Sequence, residues 1–245
     1  MPGLTAVLIL AASLSRVHEE LRERYDRWHE THAGQSSLKE EQFHSWLLDL
    51  LGQPEGRLLD VACGAGRFLT RARERGFELA GVDISQVAVD AARASLPDAD
   101  LRVAPAEALP FENGSIAALT CIGSLEHVPD PDSAVAEMAR VLADHGRAVL
   151  FVPNLFFLGH VYFGIRHGTQ PSEGDQDFSE RFMSAQGWTN LLQENGLRVE
   201  QMHAWNQIWA TAKVGALTMR VWNAASRFVP RNASYGFAFV CTPRR

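Results

Sequence analysis

The segment Leu58-Leu59-Asp60-Val61-Ala62-Cys63-Gly64-Ala65-Gly66-Arg67-Phe68 carries residue types and spacings suited to chemistry. An apolar strand runs into a glycine turn and then a helix. This places the turn at the carboxyl edge of an α/β sheet, where open sheets bind ligands. Gly64 and Gly66 let the backbone approach a ligand closely and adopt conformations closed to other residues. Asp60 ends the strand, where a carboxylate can order the loop and engage a cationic amino-acid moiety. Asp83 ends a second apolar segment, where a carboxylate can accept hydrogen bonds from both hydroxyls of a ribose. A dinucleotide fingerprint would put its third glycine at position 69, which is Leu69, and Asp60 would sit poorly beside a pyrophosphate. Asp83 by itself does not discriminate, because dinucleotide folds use an acid in the same way.

Positioning these groups requires a sheet, and the pattern predicts one. Strands are expected at 57–62, 78–83, 101–104, 116–121 and 146–152. Helices are expected near 66–75 (ending at Gly76), 85–96 (Ser85 as cap, Pro97 as stop) and 132–143. Strands separated by helices of this length imply right-handed crossovers and parallel pairing. Before them, 14–32 reads as a charged amphipathic helix. A second helix begins at Ser37, with Glu40 at capping-box spacing and Phe43, Trp46, Leu47 and Leu50 at helical intervals.

After Pro153 the character shifts. Residues 155–165 are rich in aromatics, 167–180 read as a polar loop, a helix at 184–195 ends at Gly196, and a strand follows near 198–204. The last strand, 235–242, alternates Tyr235, Phe237, Phe239 and Cys241 on one face. The expected fold is α/β: a Rossmann-like, mostly parallel seven-stranded sheet with helices on both faces and a small helical cap. The expected organisation is an N-terminal helical lid over 1–52 and one main domain over 53–245, with cap insertions at about 153–180 and 205–230.

Composition narrows the function classes. The 245 residues are 46% hydrophobic and 21% charged, ordinary for a chain with a real core. A net charge of −6 with acids and bases interspersed argues against nucleic-acid partners, which need a concentrated basic surface. Cys63, Cys121 and Cys241 form no CxxC pair and fit a reducing, cytoplasmic setting. The apolar run Leu4 to Ala12 falls short of the roughly twenty residues that span a bilayer. It also lacks the basic start of a secretory signal, so a packed or frayed extension is expected there.

Taken together, LLDVACGAGRFL, GVDIS, AEALPF, and TCIGSLEHVPDPDSAVAEMARVL followed by GRAVLFVPN resemble the class I S-adenosylmethionine (SAM)-dependent methyltransferases of the ubiquinone/menaquinone-biosynthesis type. The resemblance covers about 55 to 155, and the segment from Thr120 to Pro131 looks particularly like the ubiquinone O-methyltransferases. It implies SAM as cofactor. Ala62, Gly64 and Gly66 would line its methionine and ribose portions, with Asp83 on the ribose and Ile84 against adenine. Ala106 and Glu107 would border the adenine edge, and the backbone near Cys121 and Ile122 would meet the methionine amino group. Family members commonly carry an Asp before the Ala-Glu pair; here it is Pro105, so Glu107 or a backbone carbonyl would take over, or adenine selectivity would be looser.

Methyl transfer from a sulfonium needs alignment, exclusion of water and, for a protonated nucleophile, a base. His127 follows the fourth strand and titrates near neutrality, which makes it the candidate base; it also reads as a loop element. Some relatives of this type hold a divalent metal with Glu-x-x-Glu-His. This chain keeps Glu126 and His127 but has Gly123 at the first Glu, so no metal is expected. Tyr25 and Arg22 lie on the N-terminal helix, which in the family often closes over SAM. His160, His167, Arg181 and His203 are further candidates on the acceptor side.

Phe156, Phe157, Tyr162, Phe163, Trp205, Trp209 and Trp222 form an aromatic set that serves either as the cap's own core or as the wall of an apolar acceptor site. The stretch 206–229 also suits a helix lying on a membrane surface. The expected reaction is methylation of a small, apolar or amphipathic acceptor on oxygen. A non-catalytic SAM-binding protein and a macromolecular methyltransferase are the competing readings.

Overall fold

A computed structural model describes residues 3–31, 38–52, 56–168, 181–207, 224 and 226–244. Seven strands form one sheet in the order β3-β2-β1-β4-β5-β7-β6. They are β1 (Arg57–Val61), β2 (Glu78–Asp83), β3 (Asp100–Val103), β4 (Ile116–Ile122), β5 (Leu142–Pro153), β6 (Leu197–Trp205) and β7 (Gly236–Pro243). The first five pair in parallel, and β7 runs antiparallel to both β5 and β6. The expected mostly parallel, Rossmann-like sheet is borne out.

The helices are α1 (Gly3–Thr31), α2 (Leu38–Leu51), α3 (Arg67–Glu74), α4 (Gln86–Ser95), α5 (Pro131–Val141), α6 (Leu158–His167) and α7 (Ala185–Glu194). Local chemistry sets several of their starts. Ser85 Oγ accepts the Ala88 N–H at 3.1 Å to open α4, and Ser184 Oγ accepts the Gly187 N–H at 3.2 Å to open α7. Asp130 caps α5 through the Ser133 N–H at 3.2 Å, with Pro131 in the first turn, where its missing N–H costs nothing.

Alternation along the strands splits the core in two. Leu59, Val61, Phe237, Phe239 and Cys241 pack with α5 and α7 on one face. Leu58, Ala238 and Val240 pack with α2, α3 and α4 on the other. Trp188 of α7 is fully buried, and its indole N–H donates to the Pro153 carbonyl at 2.9 Å.

Two expectations change. The N-terminal helix does not begin near residue 14; α1 extends back to Gly3 and includes the apolar run. Tyr235 does not share a face with Phe237 and Phe239. It lies ahead of β7 and packs against the opposite core, because the two-residue period holds only within the pleated strand. The segment at 155–165 is largely helical, as α6, in keeping with the expected helical cap. α2 is built into the second core through Phe43, Leu47, Leu48 and Leu51, whereas α1 lies along α4. Residues 169–180 and 208–223, and so Trp209, Trp222 and most of the second cap segment, lie outside the described residues. Among the described residues, no helix is long and apolar enough to cross a membrane.

Candidate active site

The β1–α3 turn is built from residues in left-handed backbone conformations: Ala62 at φ 60°, Gly64 at 52° and Gly66 at 77°. Gly66 is also held by packing, since a Cβ there would lie 3.0 Å from Leu96 Cδ1 and 3.2 Å from Ala92 Cβ of α4. Asp83 ties the turn to the next strand. Its Oδ2 accepts the Gly64 N–H at 2.8 Å and its Oδ1 the Ser85 N–H at 2.9 Å. Burial raises the Asp83 carboxyl above its usual range, opposed by those two backbone donors. Asp60 is also buried and accepts from Thr120 Oγ1 at 2.7 Å. Burial pushes it up to about 7, with the Thr120 hydroxyl pulling down and the Asp83 charge pushing up.

A cavity of about 500 Å³ opens over these groups at the carboxyl ends of the parallel strands. Of the sequence-derived set, Asp60, Ala62, Gly64, Asp83, Ile84, Ala106, Glu107 and His127 line it. Ile122 lines it as well, whereas Cys121 is fully buried in the sheet core one position short of the cavity. Gly66 stands behind the wall, where it shapes the turn.

His127 sits in a 3-10 turn, Leu125–His127, directly after β4. That turn is fixed by Gly123 N–H donating to the Phe151 carbonyl at 2.8 Å and Arg181 N–H donating to the Glu126 carbonyl at 2.9 Å. Burial lowers the His127 imidazole to about 4, so the ring is neutral at physiological pH. Among the described residues, no group of three or more His, Cys, Asp or Glu side chains gathers as a metal site.

The remaining candidates divide. Tyr25 and His160 line the cavity, and burial lowers the His160 imidazole. Arg22 donates to the Ile84 carbonyl at 3.3 Å. Arg181 holds the His127 turn instead of facing an acceptor, and its guanidinium donates to the Val128 carbonyl at 3.3 Å. His203 Nε2 lies 2.9 Å from Gln201 Oε1, away from the cavity.

Of the aromatic set named from the cap, the members whose side chains the structure describes, Phe156, Phe157, Tyr162 and Trp205, do not line the cavity. Phe156 and Tyr162 are exposed, Phe157 is buried against Tyr235 and His160, and Trp205 stacks near Phe43 and Trp46. The aromatic wall comes instead from Tyr25, Trp28, Phe43, Phe68, Phe151, Phe182 and Tyr235.

Sequence reasoning also missed His18, His29 and His44. Burial lowers His44 to about 4. His18, Leu21, Tyr25 and Trp28 recur at helical intervals on α1, a stripe of which the sequence analysis singles out Tyr25 alone.

Residues 59–150 match the family described as "Methyltransferase domain". The resemblance to class I SAM-dependent methyltransferases is therefore borne out over that segment. The chain is 35% identical over 115 residues to the ubiquinone biosynthesis O-methyltransferase of Alkalilimnicola ehrlichii, covering 44% of this chain and 47% of that one. It is 35% identical over 102 residues to an uncharacterized methyltransferase of Mycobacterium tuberculosis, covering 42% and 40%. The chain thus spans less than half the length of these curated relatives.

Among solved structures, the complex of the Haloferax volcanii Trm112 methyltransferase activator with a methyltransferase aligns at TM-score 0.67 and 18% identity, over 91% of this chain and 97% of that one. Geranyl diphosphate C-methyltransferase from Streptomyces coelicolor aligns at TM-score 0.63 and 20% identity, over 83% and 79%. The cyclase SpnF aligns at TM-score 0.61 and 20% identity, over 84% and 82%. At these identities the likeness is one of fold, and a cyclase among the neighbours shows that the fold alone does not choose the reaction.

Proposed function

We propose, from a methyltransferase domain over residues 59–150, that this chain moves a methyl group from S-adenosylmethionine to a small, apolar or amphipathic acceptor, on oxygen. The carrying observation is that one cavity runs from Asp83 and Ile84, past the glycine turn, to His127 and on to Phe182 and Tyr235. Asp83 would hold the ribose hydroxyls, Asp60 the cationic amino group, and Ile84 the flat face of the base. When bound, SAM supplies a methyl group on a sulfonium for in-line displacement. His127 lies on the β4 side of the cavity, beyond Gly123, as a neutral imidazole able to take the proton of an acceptor hydroxyl. Phe151, Phe182 and Tyr235 enclose the acceptor end and keep water from the displacement. α1, through Tyr25 and Trp28, closes the cofactor end and acts as the lid.

The names of the curated relatives accord with oxygen as the acceptor atom. The test is turnover with methyl-labelled SAM against acceptors that differ only in a hydroxyl, amine or carboxylate on an apolar ring. Product on the hydroxyl compound supports the reading. SAM binding without methylation of any small acceptor supports the non-catalytic reading, and label found only on added protein or nucleic acid moves the substrate to a macromolecule.

A further inference from the structure

The inference rests on the methyl-transfer reading above and concerns what the acceptor end of the cavity recognises. Three stretches of chain build that end, and the fully buried Asn154 ties them together. Its side-chain amide donates to the Asn232 carbonyl at 2.9 Å and to the Ser234 carbonyl at 2.8 Å, just ahead of Tyr235. Its backbone pairs with Met183, and the Leu155 N–H donates to the Met183 carbonyl at 3.0 Å, next to Phe182. Its side-chain oxygen accepts the Phe156 N–H at 3.1 Å, on the approach to α6. Tyr235, Phe182 and His160 therefore reach the cavity as one wall.

The rings of that wall meet edge to face. Phe157 is buried behind it, with its ring centroid 5.3 Å from that of Tyr235 and 5.0 Å from that of His160. The Phe182 ring lies 5.3 Å from His160 at an interplanar angle of 77°. Two phenyl rings thus fix the imidazole and offer its nitrogens no partner, and among the described residues His160 makes no hydrogen bond. Burial lowers its pKa, so at physiological pH the ring carries one donor and one acceptor nitrogen. The same wall is joined to His127: the Arg181 N–H donates to the Glu126 carbonyl at 2.9 Å, and the next residue is Phe182. Among the described lining residues the one Lys or Arg is Arg67, at the start of α3 and paired with Glu40 at 3.2 Å. A carboxylate or phosphate on the acceptor would find no counter-charge beside His160, and an unpaired buried charge is costly.

We propose that His160 is a specificity-determining residue for the acceptor: it hydrogen-bonds a second oxygen on an uncharged aromatic ring whose reacting hydroxyl faces His127. Phe151, Phe182 and Tyr235 offer that ring apolar surface, which holds it without choosing its orientation. The His160 N–H adds one directional contact, and with it the ring has one way to present its hydroxyl to the methyl group.

The experiment measures initial rates with methyl-labelled SAM on each methoxyphenol isomer, on the matching ethylphenol and on the matching hydroxybenzoate. The ethyl compound replaces the ether oxygen by a methylene of similar size, and the hydroxybenzoate puts a carboxylate at the same place. The wild-type chain should methylate at least one methoxyphenol about tenfold more efficiently, in kcat/KM, than its ethyl partner, the effect of one hydrogen bond. It should also favour that compound over the hydroxybenzoate. His160→Leu should bring the methoxy-to-ethyl ratio near one, chiefly through KM, and His160→Gln, which keeps a donor, should restore part of it. A His160 that only packs between Phe157 and Phe182 would slow both phenols alike in His160→Leu and leave the ratio unchanged, which overturns the proposal. Equal wild-type efficiency on every methoxy and ethyl pair also overturns it, and that comparison needs no variant to fold. A wild-type preference for the hydroxybenzoate overturns the uncharged acceptor. Turnover of no phenol overturns the oxygen-acceptor reading itself, and it is distinguishable because a lost preference is read only from phenols that turn over.

Discussion

Thr120 Oγ1 donates to Asp60 Oδ1 at 2.7 Å between residues that are direct register partners on β4 and β1. This fully buried hydroxyl is what keeps the Asp60 carboxyl near 7 instead of higher. Asp60 has a folded value of about 7 against an ordinary 3.8, so the folded state retains a proton that the unfolded state releases between those values. Its contribution to stability is therefore greatest below about pH 4 and falls as pH rises to 7. Asp60→Asn should flatten this fall, and Thr120→Val should carry it to higher pH. Denaturant unfolding at a series of pH values checks both, and an unchanged slope in Asp60→Asn would remove Asp60 as its source.

Asp83 accepts from the Gly64 and Ser85 amides, and in the proposed reading it also holds the ribose. Asp83→Asn should weaken SAM binding by about 1.5–3 kcal/mol, the range for hydrogen bonds to a charged group. Calorimetry on a variant with a native circular dichroism spectrum decides. Wild-type affinity in that variant would take Asp83 out of the ribose site.

The His127 imidazole is held near 4 by burial, so a rate that depends on its neutral form should lose its acid limb only near pH 4, well below the ordinary histidine value of 6.5. His127→Ala should cut kcat by about 10²–10⁴ with SAM affinity kept, and a base this weak belongs toward the lower end. Collapse of SAM binding instead would make His127 a loop element.

Gly66 carries φ 77° and has Leu96 Cδ1 3.0 Å from the position of an added Cβ. Gly66→Ala should cost at least about 1–2 kcal/mol from the left-handed backbone alone. SAM affinity should fall as the turn shifts off α4. Thermal unfolding with and without ligand separates the two effects, and an unchanged melting temperature would contradict the packing role.

The strand–turn–helix at Leu58 to Phe68 was legible in the sequence because everything that specifies it is local. An apolar run makes the strand, glycines permit positive φ, and the caps at Ser85, Asp130 and Ser184 act within three residues. Asp60 and Asp83 followed from the same logic, since the carboxyl ends of parallel strands form the edge where open sheets bind ligands, and both line the cavity. Of the pair Cys121 and Ile122, strand pairing buries the Cys121 side chain in the sheet, while Ile122 reaches the cavity.

Tertiary structure alone decided who lines the cavity beyond the sheet. Periodicity says that α1 has a stripe of His18, Leu21, Tyr25 and Trp28, but not that this stripe meets the ends of β2 and β3. It marks Phe157 and Trp205 as apolar, yet one packs against Tyr235 and the other against Phe43 and Trp46, and Phe151, Phe182 and Tyr235 line the cavity instead. A local pattern fixes which face of an element is apolar. Which partner that face meets depends on how all the elements together bury the most surface, and no single segment carries that information.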